Sequence, residues 1–177
     1  MVKDKLLLHA CCAPCAGYVI EKLRQDYDLA IYYYNPNIYP KEEYYRRRNE
    51  LINYCSKLNL PFFEEPYNYL EWENSIKGLE QEPERGRRCN QCFRLRLERA
   101  ANYAESNGYD CLTTTLTISP HKISSNIIAI GKEASSKYNI KFLSEDFKKR
   151  DGYQLSTSIS KRENFFRQTY CGCHYSM

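Results

Sequence analysis

Short, almost wholly apolar runs alternate along this chain with longer stretches whose apolar residues recur at helical spacing. Lys5–Ala10 is such a run and predicts a strand buried on both faces. Further strands are predicted over Leu29–Tyr34, Phe62–Glu65, Cys111–Thr115 and Ile140–Leu143. Helices are predicted between them, over Ala16–Gln25, Lys41–Leu58, Tyr69–Lys77, Cys92–Asn107 and from Ser119-Pro120 to about Tyr138. A last helix is predicted over Ser160–Gln168. Turn residues punctuate the pattern: Asn35-Pro36-Asn37 closes the second strand, Pro61 stops the second helix and Asn107-Gly108 stops the long one.

This alternation points to an α/β fold, a parallel sheet flanked by helices. The length, 177 residues, suits one domain over 1–177 with a core large enough to need no staples. Ligands of such sheets bind beyond the carboxyl ends of the strands, at a topological switch point. The segment after the first strand falls at that kind of place. It carries cysteines, and neither a G-x-x-x-x-G-K-[ST] nor a G-x-G-x-x-G motif occurs, so a phosphate cradle is unsupported.

Composition narrows the setting. No apolar run is long enough to span a membrane, and Leu6–Ala10 is too short for a secretory signal. A cytoplasmic protein with no membrane partner is expected, where cysteines serve as ligands or redox thiols more often than as staples. The net charge is +4, but the basic residues are bunched in Lys41–Arg48, Arg85–Arg99 and Lys148–Arg150, among 17 tyrosines. Such patches suit RNA, because phosphates pair with Lys and Arg while unstacked bases lie on aromatic rings. Arg46, Arg47 and Arg94 are the candidates for that role, and a solvated helix face is the plain alternative.

The cysteines carry the chemistry. Seven of the nine fall in three clusters: Cys11-Cys12-Ala13-Pro14-Cys15, Cys89-Asn90-Gln91-Cys92 and Cys171-Gly172-Cys173. The first two each sit where a loop enters a predicted helix, and a helix N-terminus favours thiolate. Four thiolates complete the ligand set of zinc or of a [4Fe–4S] cluster, and Cys12-x-x-Cys15 alone would also read as a thiol–disulfide exchange motif. Zinc would leave the extra clustered cysteines unexplained. Cys171-Gly172-Cys173 permits a strained disulfide, the labile kind, with Gly172 supplying backbone freedom. Cys55 and Cys111 fall on apolar stripes and read as core. His9 reads as a satisfied core residue, His174 adjoins the last pair, and Asp146 is a candidate proton donor or metal ligand after the fifth strand.

Three motifs then resemble one family. The strand followed by Cys-Cys-x-Pro-Cys, the Arg-Cys-x-x-Cys before a long helix, and Phe165-Phe166-Arg167-Gln168-x-Tyr170-Cys171-Gly172-Cys173-x-x-Ser176 look like the cobalamin-independent epoxyqueuosine reductases. Leu116-Thr117-Ile118-Ser119-Pro120-His121-Lys122 also looks like that family, and the likeness runs from Leu6 to Ser176. The resemblance implies a fold like the adenine-nucleotide α-hydrolases, with the nucleotide loop replaced by the cysteine loop. It implies the last step of queuosine formation, reductive removal of an epoxide oxygen at the tRNA wobble position. By motif, Cys11, Cys12, Cys89 and Cys92 would hold a [4Fe–4S] cluster and Cys171 with Cys173 would be a redox-active pair. Cys15, with Asp146, would be available to a second metal ion or would support the loop. The partners implied are tRNA carrying epoxyqueuosine and an external electron donor. The competing classes are a zinc-stabilised RNA-binding module and a thiol–disulfide oxidoreductase.

Overall fold

A computed structural model describes all 177 residues. Five strands form one all-parallel sheet: β1 (Lys5–His9), β2 (Asp28–Tyr33), β3 (Phe62–Glu64), β4 (Cys111–Thr114) and β5 (Lys141–Phe142). Their order is β3-β2-β1-β4-β5. The central strand β1 runs in register with both neighbours, Leu7 facing Ala30 on one side and Leu112 on the other. The chain builds outward from β1 in one direction, then returns to β1 and builds the other way. The switch point therefore lies at the carboxyl ends of β1 and β4.

The helices are α1 (Ala13–Leu23), α2 (Lys41–Lys57), α3 (Tyr69–Ser75), α4 (Arg87–Ser106), α5 (Ser124–Ser136) and α6 (Gly152–Arg162). Period-two alternation on β1 sorts the core into two layers. Leu6 and Leu8 pack with Ala16, Val19, Ile20 and Leu51 of α1 and α2. Leu7 points the other way, to Ala100, Ala101 and Ala104 of α4. Alanines there let a long helix lie close on the sheet. No helix is long and apolar enough to cross a membrane.

The elements depart from the sequence expectation in ways that matter for the cysteines. Helix α1 begins at Ala13 rather than Ala16, and α4 at Arg87 rather than Cys92, so Cys15, Cys89 and Cys92 lie inside the first helical turns. A 3₁₀ turn over Thr115–Ile118 follows β4, and α5 starts only at Ser124. The helix expected over Ser160–Gln168 is instead α6, Gly152–Arg162, and ends where Asn164 turns to positive φ. Few apolar residues mark α6, because its buried face is small: Gly152, Ser156, Ile159 and Ser160. It docks so closely on α1 that a Cβ on Gly17 would lie 2.8 Å from Ile159 Cγ2.

Gly152 and Gly131 are both required by close approach, but against different neighbours. A methyl at Gly152 would meet the backbone carbonyl of Phe147, whereas one at Gly131 would meet only the ring of Phe142. A ring can turn aside and a backbone cannot. Gly131→Ala is expected to cost about 1–3 kcal/mol and Gly152→Ala more. Urea midpoints at constant slope measure this; Gly152→Ala as stable as the native chain would mean that this contact does not seat α6.

Candidate functional site: the cysteine centre

The loop leaving β1 enters α1 with Cys12 extended at the N-cap and Pro14 within the first two helical positions, which presets the helix start. That short entry folds Cys15 back over Cys11 and Cys12. The three Sγ atoms lie within 4.8 Å of one another, with Cys11 and Cys12 3.7 Å apart, and the group is able to hold a metal ion. Thr115 Oγ1, at the end of β4, is 3.8 Å from Cys11 Sγ. The centre thus sits on the switch point. Cys15 belongs with Cys11 and Cys12 rather than apart from them.

Cys89 and Cys92 face it from the start of α4. Cys89 Sγ accepts the backbone N–H of Arg85 at 3.3 Å and packs on the apolar cluster that contains Cys11, Cys12 and Phe93. Two adjoining cavities meet here. One, largely apolar in character, is lined by Cys89, Cys92, Cys171 and Cys173. The other is a polar cleft of about 320 Å³ lined by Cys11, Cys15 and Cys171. Their common wall is Glu84, Arg85, His121, Lys122 and Cys171. The tail pair is therefore brought to the same place as the other five cysteines. All nine are free thiols.

The tail is held there by the body of the protein. Buried Arg47 donates from Nη1 to the carbonyl of Cys171 at 2.9 Å and from Nη2 to that of Tyr170 at 3.2 Å, and Nε pairs with Glu43 at 2.7 Å. Tyr39 N–H donates to the carbonyl of Gly172 at 2.8 Å. Gly172 has φ of 141°, and a Cβ there would stand 3.2 Å from Arg47 Nη1, so the glycine is required twice over. Gln168 Nε2 donates to Cys12 Sγ at 2.9 Å, linking the tail to the triad. His174 bonds Tyr69 through Nδ1 and stacks in an aromatic group with Trp72 and Tyr175.

Electrostatics favour negative charge on one sulfur, Cys11; hydrogen bonds to Cys11 and burial raise Cys15, and burial raises Cys89. Buried Arg96 donates to Asn35 Oδ1 at 2.6 Å and to Cys92 Sγ at 3.8 Å, and has no carboxylate partner. Lys122 also stands in none of the ion pairs of the chain. Burial opposes its charge, but Cys171, Cys11 and Cys15 more than offset that and raise its pKa. Thiol hydrogen bonds from Cys12 and Cys15, helped by Lys122 and Arg96, hold Cys11 well below the ordinary thiol range. Cys12, as a donor to Cys11, is pushed up to about 12. Burial raises Cys92 to about 11 against the pull of Arg96. His9, fully buried between Thr114 Oγ1 and the carbonyl of Tyr34, is pushed by burial down to about 3 and is a neutral core residue. Six buried side-chain polar atoms lack a partner, and four belong to residues lining these cavities: Asn37, Trp72, Arg96 and Gln168.

The remaining expected residues lie elsewhere. Cys55 and Cys111 are core, as their stripes implied. Asp146 lines neither cavity and accepts the backbone N–H of Lys148 at 3.3 Å. Arg47 corrects the sequence expectation: it is buried, with each guanidinium nitrogen bonded inside the protein, and does not face solvent to meet a phosphate. Arg46 is paired with Glu43 and lies 3.9 Å over the Phe166 ring, and Arg94 pairs with Glu133 at 3.5 Å. Arg96 and Arg47 were legible only as basic residues. For Arg96 alone the spacing held a further signal, since it follows Cys92 by one helical turn.

Comparison with known proteins identifies the family. The family model described as epoxyqueuosine reductase QueH matches residues 6–177. The curated protein of that name from Histophilus somni is 44% identical over 98% of this chain and 72% of its own length. Those from Acinetobacter baylyi and Thermotoga maritima are 45% and 35% identical, over 98% and 97% of this chain and 81% and 90% of theirs. Among solved structures, one described as a predicted subunit of a tRNA methyltransferase from Methanocaldococcus jannaschii aligns with a TM-score of 0.54 at 14% identity. It covers 86% of this chain and 74% of that one, a likeness of fold alone. With a family match over nearly its whole length and relatives this similar, the chain belongs to the epoxyqueuosine reductase QueH family.

Proposed function

We propose that the chain acts as the name of its family states, an oxidoreductase that removes the epoxide oxygen of epoxyqueuosine, and that its substrate is the modified nucleotide in tRNA. The observation that carries this is the position of Cys171. It borders both the cavity of the Cys89-Cys92 pair and the cleft that opens on Cys11 and Cys15. A substrate in the cleft would touch the metal-binding triad and the tail pair together.

The donor set suits a [4Fe–4S] cluster. Such a group needs four thiolates, here Cys11, Cys12, Cys89 and Cys92, presented from two helix starts. Cys15, at ligand distance from the first two, is the remaining thiol and would support the loop or take part in a second metal site. Arg96 and Lys122, buried or half-buried without carboxylates, supply positive charge to balance bound thiolates. When bound, the cluster supplies one-electron transfer.

The chain's own residues account for the rest of the chemistry. Deoxygenation takes two electrons and two protons and releases water. The Cys171 and Cys173 thiols together carry both: their S–H bonds break, an S–S bond forms, the epoxide oxygen leaves as water and a carbon–carbon double bond remains. An external dithiol or equivalent reductant then reopens the disulfide. Lys122 Nζ holds a proton beside Cys171, where the developing charge on oxygen is to be met. Arg47 acts on the pair by fixing the Cys171 carbonyl and is a positioning residue.

Cys11→Ala, Cys12→Ala, Cys89→Ala and Cys92→Ala are each expected to lose most bound iron and all turnover, measured by iron and sulfide content after anaerobic purification. Cys55→Ala should keep both, with a modest stability loss. Full iron in Cys89→Ala would break the ligand assignment.

Cys171→Ser and Cys173→Ser should keep the visible spectrum of the bound cluster yet fail at multiple turnover, since one thiol cannot close the disulfide. Loss of iron in either would make the pair ligands, and native turnover would make it idle.

Arg47→Met should loosen the tail without removing iron. Faster alkylation of Cys171 by iodoacetamide in that variant is the readout, and unchanged labelling would show that Arg47 does not hold the pair.

A further inference from the structure

We infer that RNA docks on the rim of the polar cleft, through Arg85 and Arg167, and not on the basic faces of α2 and α4 where the sequence concentrates its arginines. The inference rests on the reading of the chain as a tRNA-modifying reductase and names the surface that reading requires. Its basis is a census of which cations are free to meet phosphate.

Most arginines of the two basic helices are already held by carboxylates, and the third basic stretch, where Lys149 and Arg150 are exposed and unpaired, does not line the cleft. On α2, Arg46 and Arg47 share Glu43, and Arg48 pairs with Glu64 of β3. On α4, Arg87 pairs with Glu82, Arg94 with Glu133, and Arg99 with Glu71 and Glu65. Arg88 donates to the carbonyls of Glu80 and Glu82, and Arg96 is buried. A guanidinium held by a carboxylate must break that pair before it can bind RNA, and the net gain is small.

The rim differs. Arg85 and Arg167 are both exposed, both line the cleft, and neither stands in an ion pair. They stand with His121 and Lys122, while Glu84 is the one acid that lines it. Three elements distant in sequence bring this charge together: the turn before α4, the turn before α5 and the tail. Lys148 reinforces the wall, holding the carbonyl of Lys122 at 3.1 Å.

Aromatic surface accompanies the charge. Tyr153, 37% exposed, and Tyr170 line the same cleft, and Arg167 Nη2 donates to Tyr153 hydroxyl at 3.0 Å with its guanidinium 5.9 Å over the ring. Phosphate-binding cations beside stacking faces are what single-stranded nucleic acid needs. At about 320 Å³ the cleft is near the lower end of small-ligand pockets. It admits one nucleotide-sized group and no duplex. The reacting base is therefore turned out of its stack, with the flanking phosphates left at the rim.

The test is binding of a fluorescein-labelled tRNA anticodon stem–loop by anisotropy between 50 and 200 mM KCl. Arg85→Gln combined with Arg167→Gln should weaken binding and flatten the slope of log affinity against log salt by about 2, one unit per lost phosphate contact. Arg46→Gln combined with Arg94→Gln should leave slope and affinity as in the native chain. Native circular dichroism in both doubles confirms that folding is intact, which exposed positions favour. An unchanged slope in the Arg85/Arg167 double overturns the assignment, as does a loss confined to the Arg46/Arg94 double. Reduction of epoxyqueuosine by the native chain is assayed in parallel. Its absence would defeat the reductase reading while a flattened slope in the rim double would still establish the surface.

Discussion

The cysteine centre depends on positive charge placed among sulfur atoms with no carboxylate to neutralise it. Burying an unpaired guanidinium or ammonium costs several kcal/mol. Arg96 donates only to Asn35 and Cys92, and Lys122, on the wall shared with Cys171, stands in no ion pair. The balancing negative charge has to come from the cysteines, as thiolates or as ligands of a metal group. Cys12 and Cys89 sit at the N-terminal ends of α1 and α4, where the helix dipole adds a positive field. Among the free thiols this charge favours anionic sulfur at Cys11, while Cys12, Cys15, Cys89 and Cys92 stay protonated.

The site is assembled at the switch point because only there do two strand ends and two helix starts converge. β1 delivers the Cys11–Cys15 loop and β4 delivers Thr115, while the long helix α4, seated on the sheet by its alanines, delivers Cys89 and Cys92. The last contribution comes from a segment with no regular structure. Residues after α6 are fixed by Arg47, Tyr39 and the Gln168–Cys12 bond, so an irregular tail reaches a defined position. The Cys171-Gly172-Cys173 backbone is thus anchored by Arg47 and Tyr39, with Gly172 at a φ of 141° between the two thiols.

The same economy governs the surface. Carboxylates on α2, β3, α3, α5 and the turn before α4 absorb most arginines of the two basic helices. What remains unpaired near the centre is a small cationic rim with tyrosines beside it. Charge density in a sequence and available charge on a surface are different quantities, because ion pairing across elements consumes the first without appearing in it.

The sequence by itself determined the sheet, most of the helices and the identity of the chemical groups. Buried parallel strands are apolar runs, and amphipathic helices are periodic, so β1 to β5 and α1 to α5 were legible locally, with boundaries off by a few residues where helices begin. Cysteine spacing marked three clusters, because a ligand or redox pair needs its partners close along the chain. The tertiary structure decided everything that rests on distance between remote segments. Helix α6 was misplaced because its buried face is mostly glycine and serine with one apolar residue, Ile159, which packs closely against Gly17 of α1. Cys15 joined Cys11 and Cys12 because the helix starts at Ala13 rather than at Ala16. Arg47 changed from a surface cation to an anchor of the tail, 124 residues away in sequence, because folding buried it beside the carbonyl of Cys171.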